Sequence, residues 1–184
     1  MKTEDLLHFF IENGIQWIQA QRDAYRTGAR TLTEVERTAL SCFFDPDILD
    51  LAGINMADEI SNPGFYVTLK DAKEVPLLDF TGAIGITYID TIVLSKKYLA
   101  SSSQVIPILF HELVHMVQCD LLGVRKFVEL YIGGWADKRF NYYAIPLEVE
   151  AYRLSRLYDT NPKGRFSVAD EIRKTLGPEI LEYP

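Results

Sequence analysis

The sequence predicts an α+β domain, helix-rich, with a small mixed sheet. Three observations carry that prediction. Apolar residues recur at helical spacing near the N-terminus, around residue 110 and after residue 146. β-Branched residues crowd most densely between Gly82 and Ser95. Turn-forming Gly, Pro and Asn residues punctuate these segments, with no repeat, low-complexity run or internal linker. The 184 residues suit a single domain with a sizeable core. Within 1–184 we expect an N-terminal helical and strand part (1–80), a central core (81–160) and a C-terminal helix (161–184).

The first helix is expected over 4–28. Leu6, Leu7, Phe10, Ile11, Ile15, Trp17 and Ile18 recur at helical spacing, Gly14 weakens the middle and Gly28 offers a stop. Thr33-Glu34-Val35-Glu36 is a capping box, in which the threonine hydroxyl and Glu36 each satisfy a backbone amide. Val35, Ala39, Leu40 and Phe43 give this second helix an apolar face, and Asp45-Pro46 is expected to end it. Ile48 to Ala57 reads as a strand, with a turn of helix as the alternative. Asn62-Pro63-Gly64 is a turn, and Phe65-Tyr66-Val67-Thr68-Leu69 has strand composition.

A tight pair of short strands is expected within 80–95. Ser101-Ser102-Ser103 then offers a cap for a helix over 105–122, with Pro107 in or near its first turn and Gly123 as its stop. This helix is apolar nearly all round and is therefore expected to be buried on most sides. Val124 to Tyr131 reads as a further short helix broken at Gly133-Gly134, and 135–145 as a polar, aromatic loop. Pro146 suits the first turn of a helix over 146–158. Asn161-Pro162-Lys163-Gly164 turns the chain, Ser167 caps a last helix, and Gly177-Pro178 ends it.

Composition narrows the function classes. A net charge of −7 is a poor match for nucleic acid or an anionic membrane surface, so neither is expected as a partner. The two cysteines, Cys42 and Cys119, make no disulfide framework and are expected in the core. Met1 to His8 shows no charged-then-apolar leader, and no apolar run is expected to reach bilayer length. The expected location is the cytoplasm.

The chemistry concentrates in Phe110-His111-Glu112-Leu113-Val114-His115-Met116-Val117-Gln118. On a helix, residues four apart share one face about a turn from each other, so His111 and His115 can aim imidazole nitrogens at one point. Zn²⁺ accepts such nitrogen ligands in a tetrahedral set. Glu112 can lean over the same site and take a proton from a water there. Two of the chain's three histidines fall in this motif. The third, His8, stands alone on the first helix and is given no role. Cys119 lies a turn beyond His115, over ~5 Å further along the axis, and is better placed for packing than for sharing the site.

A third ligand has to come from elsewhere, and no further histidine follows. The downstream helix offers Glu148 and Glu150, which are two residues apart and point to different sides of it. Here the chain resembles the gluzincin metallopeptidases, over roughly residues 84–158. The resemblance lies in His-Glu-x-x-His on one helix and Glu-x-x-Ala on a second, and is closest to compact, thermolysin-like members. It implies a zincin-like fold whose active-site helix carries His111, Glu112 and His115. It implies one Zn²⁺ per chain, Glu148 as third ligand and Ala151 as the small residue that lets the two helices approach. Glu150 is the less favoured ligand, with an ion pair to Arg153 or Arg156 as its ordinary role. The family's aspartate one place further on is replaced by Tyr152, so the hydrogen bond it gives a ligand histidine must come from Tyr152 or another residue. The resemblance also implies that a strand within 85–95 lines the cleft.

The function this implies is zinc-dependent hydrolysis of a peptide or protein substrate, with Glu112 as proton acceptor and donor. An oxyanion donor besides the metal is expected among Tyr142, Tyr143 and Tyr152. Two other readings compete. One is a metal-binding zincin-fold protein with a regulatory or partner-binding role and no general protease activity. The other is an interaction protein whose motif is accidental.

Overall fold

The computed structural model describes residues 3–69, 76–99 and 101–177. The described elements run α1 (Thr3–Arg26), α2 (Glu34–Leu40), α3 (Pro46–Leu51), β1 (Gly53–Ala57), β2 (Gly85–Tyr88), β3 (Thr91–Ser95), α4 (Val105–Asp137), α5 (Pro146–Thr160) and α6 (Val168–Leu176). Short 3₁₀ turns cover Gly64–Leu69, Ser102–Gln104 and Tyr142–Ala144. The sheet is mixed, in the order β1-β3-β2: β1 runs parallel to β3 and β2 antiparallel to it. The α+β architecture with a small mixed sheet is the one expected.

The central strand β3 is buried along its whole length, as a continuous apolar and β-branched run requires. The β2–β3 hairpin turns through Ile89 and Asp90. Asp90 is held by a two-pronged hydrogen bond from Arg22 of α1 at 2.9 and 2.7 Å, which ties α1 across the end of the sheet. α4 is the core helix. Leu109, Phe110, Leu113, Val114, Met116 and Val117 are all buried on it. Phe110 stacks on Tyr158 of α5 with ring centroids 4.5 Å apart, and Phe43 meets both rings edge-on. Cys119 and Met116 are buried in the packing, and Cys42 packs against it. By length and composition α4 is the one described helix able to cross a membrane, contrary to the expectation that no apolar stretch would reach that length. Slightly more than half of that stretch, 56%, is buried inside the fold.

Local rules placed many boundaries. The Thr33–Glu36 capping box is formed in both directions, and Ser167 accepts from the Asp170 amide. Four boundaries differ from expectation. Asp45-Pro46 does not end α2, which already stops at Leu40; Pro46 instead opens α3 at the position where its missing N–H is harmless. The stretch 48–57 is therefore helix and strand in succession rather than one strand. Phe65 to Leu69 is a 3₁₀ turn, because Phe65 and Tyr66 pack edge-on against Phe10 of α1 instead of pairing with a strand. No serine side chain caps α4; Gln104 holds that position. The end of α6 at Gly177 is as expected, while Pro178 lies outside the described residues.

Two glycines shape α4. Gly123 adopts φ 72° and ψ 156°, which interrupts the helix and divides it into arms over 105–122 and 124–137. Gly133 and Gly134 do not break the second arm, which continues to Asp137. Gly134 is instead a point of close approach: a Cβ there would lie 2.6 Å from Cδ of Pro146, the first residue of α5. Gly133 faces open space. Gly134→Ala should therefore destabilise the fold by on the order of 1–3 kcal/mol through forced separation of the two elements. Gly133→Ala should stabilise it by about 0.5–1 kcal/mol, the usual gain on replacing a mid-helix glycine. Chemical denaturation of the two variants checks both signs, and equal effects would refute the close-approach argument.

Candidate metal centre

The first arm of α4 carries His111 and His115 one turn apart, and their Nε2 atoms lie 3.2 Å from each other. α5 supplies Glu148 from its first turn. Glu148 Oε2 lies 3.4 Å from His111 Nε2, and Oε1 lies 3.4 Å from His115 Nε2. Donors about 2.0–2.1 Å from a tetrahedral zinc ion stand roughly 3.3–3.4 Å from one another. The three side chains thus hold their donors at the spacing that such an ion demands.

The tautomers agree. Gln118 Nε2 donates to the Leu147 carbonyl at 3.0 Å, which turns the amide oxygen toward His115. That oxygen lies 2.9 Å from His115 Nδ1, so Nδ1 carries the proton and the Nε2 lone pair faces the cluster. Ser155 Oγ lies 3.3 Å from His111 Nδ1 and is able to accept from it, the tautomer that leaves Nε2 for the cluster. Metal-binding histidines are commonly oriented in this way through the second ring nitrogen.

Glu148 is only 2% exposed, and its two oxygens differ. Oε1 accepts hydrogen bonds from the hydroxyls of Tyr131 at 2.6 Å and Tyr142 at 2.8 Å. Oε2 is buried without a hydrogen-bond partner among the described residues. An orphaned carboxylate oxygen beside the His111 ring nitrogen is the observation that a cation would satisfy. Burial opposes ionisation of Glu148, but the imidazoles beside it, His115 foremost, outweigh burial and hold its carboxyl well below the usual range. Burial likewise disfavours a charged His115, and the Glu148 carboxylate more than offsets it, raising the imidazole to about 9. Burial and the same carboxylate push the Tyr131 and Tyr142 phenols far up, so both remain donors.

Glu112 is 6% exposed and leans toward β2 rather than into the triad. Thr87 Oγ1 is 2.8 Å from its Oε2 and 2.9 Å from its backbone carbonyl. A Cβ at Gly85 would stand 2.9 Å from its Oε1, so glycine there lets the strand lie flat against the carboxylate. The edge strand β2 accordingly lines the same cavity as the triad.

The structure brings together His111, His115 and Glu148 as one cluster, the one group of three or more potential ligands among the described residues, with Glu112 beside it. Glu150 is turned away. It is paired with Arg153 at 2.8 and 2.9 Å and accepts from Thr175 at 3.0 Å. Tyr142 reaches Glu148, whereas Tyr152 packs its ring on His111 at 4.7 Å, and Tyr143 is 73% exposed. Where the resemblance places an aspartate for the histidine, Tyr152 supplies no hydrogen bond and Ser155, one turn on, takes that contact. Sequence reasoning missed Tyr131, Gln118, Ser155 and Thr87. Ser155 lies two turns from Glu148 on the same face and was legible; Tyr131 was hidden behind the Gly123 bend.

The chain matches no family model, no curated protein and no solved structure with which it was compared.

A bound cation and a proton compete for His115 Nε2. Divalent-metal affinity should therefore rise about tenfold per pH unit through neutrality and level off above about 9, with about one proton released per ion at pH 7. Calorimetry in buffers of different ionisation enthalpy measures this. Elemental analysis should show Glu148→Ala losing the ion and Glu150→Ala keeping it, while Gln118→Ala weakens binding by about 10–100-fold. Retention of the ion by Glu148→Ala would exclude this carboxylate as a ligand.

Proposed function

We propose that the protein is a zinc-dependent metallopeptidase of gluzincin type, with a zincin-like catalytic core. The observation that carries this reading is the buried Glu148 carboxylate, one oxygen of it orphaned, set against two imidazole nitrogens at ligand spacing, with a second acid, Glu112, held beside them but outside the ligand set. His111, His115 and Glu148 would hold the ion. When bound, zinc supplies Lewis acidity to a water and to a peptide carbonyl.

The remaining chemistry belongs to the chain. Glu112 follows His111 directly on α4, so its carboxylate is carried to the edge of the triad. Thr87 anchors one of its oxygens and leaves the other free to accept a proton from the attacking water. The same oxygen then delivers that proton to the departing amine. Tyr131 and Tyr142 orient Glu148 through its other oxygen. Tyr142 is therefore committed to Glu148, and the developing oxyanion falls to Tyr143 and Tyr152, both of which line the cavity. The enclosed apolar surroundings of the site strengthen each of these contacts by excluding water.

Glu112→Gln keeps the shape of the side chain and removes its basicity. It should retain the zinc of the wild type and lower kcat for a cleaved peptide by about 10²–10⁴-fold. Mass spectrometry of a broad peptide mixture treated with each zinc-loaded protein provides the readout. Full activity in Glu112→Gln would refute the mechanism. A zinc-loaded wild type that cleaves nothing would replace the reading with a metal-binding protein of regulatory or partner-binding role.

A further inference from the structure

A cavity of about 730 Å³ includes the triad and extends to the facing sides of α1 and the second arm of α4. Away from the triad its wall is apolar and aromatic, with Phe10 and Trp17 from α1, Phe65 from the 3₁₀ turn, and Phe127, Val128 and Trp135 from α4. At about 30 Å³ per water, the space holds roughly two dozen water molecules, more than one indole side chain fills. Among the described residues no lysine or arginine lines it, and the carboxylates at its wall besides Glu112 and Glu148 are Asp79 and Asp159. Asp79 is already engaged by Asn62 and by both the amide and the hydroxyl of Thr81. An uncharged, bulky apolar occupant fits these walls, and away from the triad an anionic amphiphile meets no cationic side chain among the described residues.

The cavity also has a polar backbone border. β2 is the outer strand of the β1-β3-β2 sheet, and Gly85, Ile86, Thr87 and Tyr88 all line the space. An outer strand can pair with an extended peptide. Such a peptide sends residues i and i+2 to the same side, roughly 7 Å apart. We propose that the cavity binds two bulky uncharged side chains, at positions i and i+2 of an extended peptide. The proposal rests on the peptidase reading for the path of the peptide, but its test needs no turnover.

The chain's two tryptophans, Trp17 and Trp135, both line the cavity, so intrinsic fluorescence reports its occupancy. Zinc-loaded Glu112→Gln protein would be titrated with N-acetyl-Phe-Ala-Leu-amide, N-acetyl-Ser-Ala-Ser-amide and dodecanol. The Phe-Ala-Leu peptide should give a saturable change and bind roughly tenfold or more tighter than the Ser-Ala-Ser peptide. Adding Val128→Phe, or Ile132→Phe where the first variant fails to fold, should fill the space and weaken that binding about tenfold with zinc content unchanged. Equal affinity for the two peptides overturns the proposal, as does saturable binding of dodecanol with no response to either peptide, which would make the cavity an alkyl-chain site. Tight binding of the Phe-Ala-Leu peptide by a wild type that cleaves no peptide would uphold the cavity inference and sink the peptidase reading. Cleavage that is indifferent to apolar residues would do the reverse.

Discussion

An ionised carboxylate taken out of water loses several kcal/mol of hydration, and Glu148 is almost wholly out of water. Its surroundings answer that loss unevenly. Two phenols and His115 surround one oxygen, while the other faces His111. Much of the local architecture follows from delivering those partners. The Gly123 bend redirects α4 so that Tyr131 returns toward the histidines carried by its own first arm. The bare face of Gly134 allows that second arm to touch Pro146, and Glu148 follows two residues later. Tyr142 arrives from the 3₁₀ turn that connects the two helices. A single long helix, folded at one glycine, therefore provides both the nitrogens and one of the phenols.

Gln118 couples the two halves of this arrangement. Its amide spans from His115 on α4 to the carbonyl of Leu147, the neighbour of Glu148 on α5. The residue that sets the histidine tautomer also sets the distance between the helices that carry the ligands. Gln118 is fully buried, so an amide without either partner would be costly there, on the order of 1–3 kcal/mol for each unsatisfied group. Ligand chemistry and helix packing are thus linked through one side chain. Ala151 is fully buried where α5 packs on α4.

Local rules made much of this legible. The i,i+4 histidines, the capping box at Thr33, the hairpin within 80–95 and Pro146 at a helix start all follow from spacing and backbone chemistry, while Glu148 is singled out by the resemblance alone. Phe65 to Leu69 did not, because aromatic residues suit a strand and a packed turn equally, and only the nearness of α1 decides between them. Gly133-Gly134 reads as a break on propensity alone; the approach of Pro146 that makes glycine necessary is a tertiary fact. Glu148 and Glu150 look alike in sequence and differ only in what each faces. Arg153 and Thr175 claim Glu150, while the histidines and tyrosines claim Glu148. Tyr131 carried no signal at all, since its contact to Glu148 crosses the loop between two helices.

Two carboxylates thus stand in one site with opposite surroundings, and partners rather than residue type divide their roles. Glu148 is enclosed by imidazoles, which hold it ionised, and by phenols, which fix it in place. Glu112 is steadied by a single threonine hydroxyl and pressed against a glycine of the edge strand. A group that moves a proton needs an oxygen outside the cluster of imidazoles, and on the proposed reading Glu112 would supply it. The strand that steadies it also borders the apolar cavity. A peptide laid along β2 would therefore bring its backbone to Glu112 while its side chains entered the cavity, so one edge strand would set both the register of the substrate and the aim of the base.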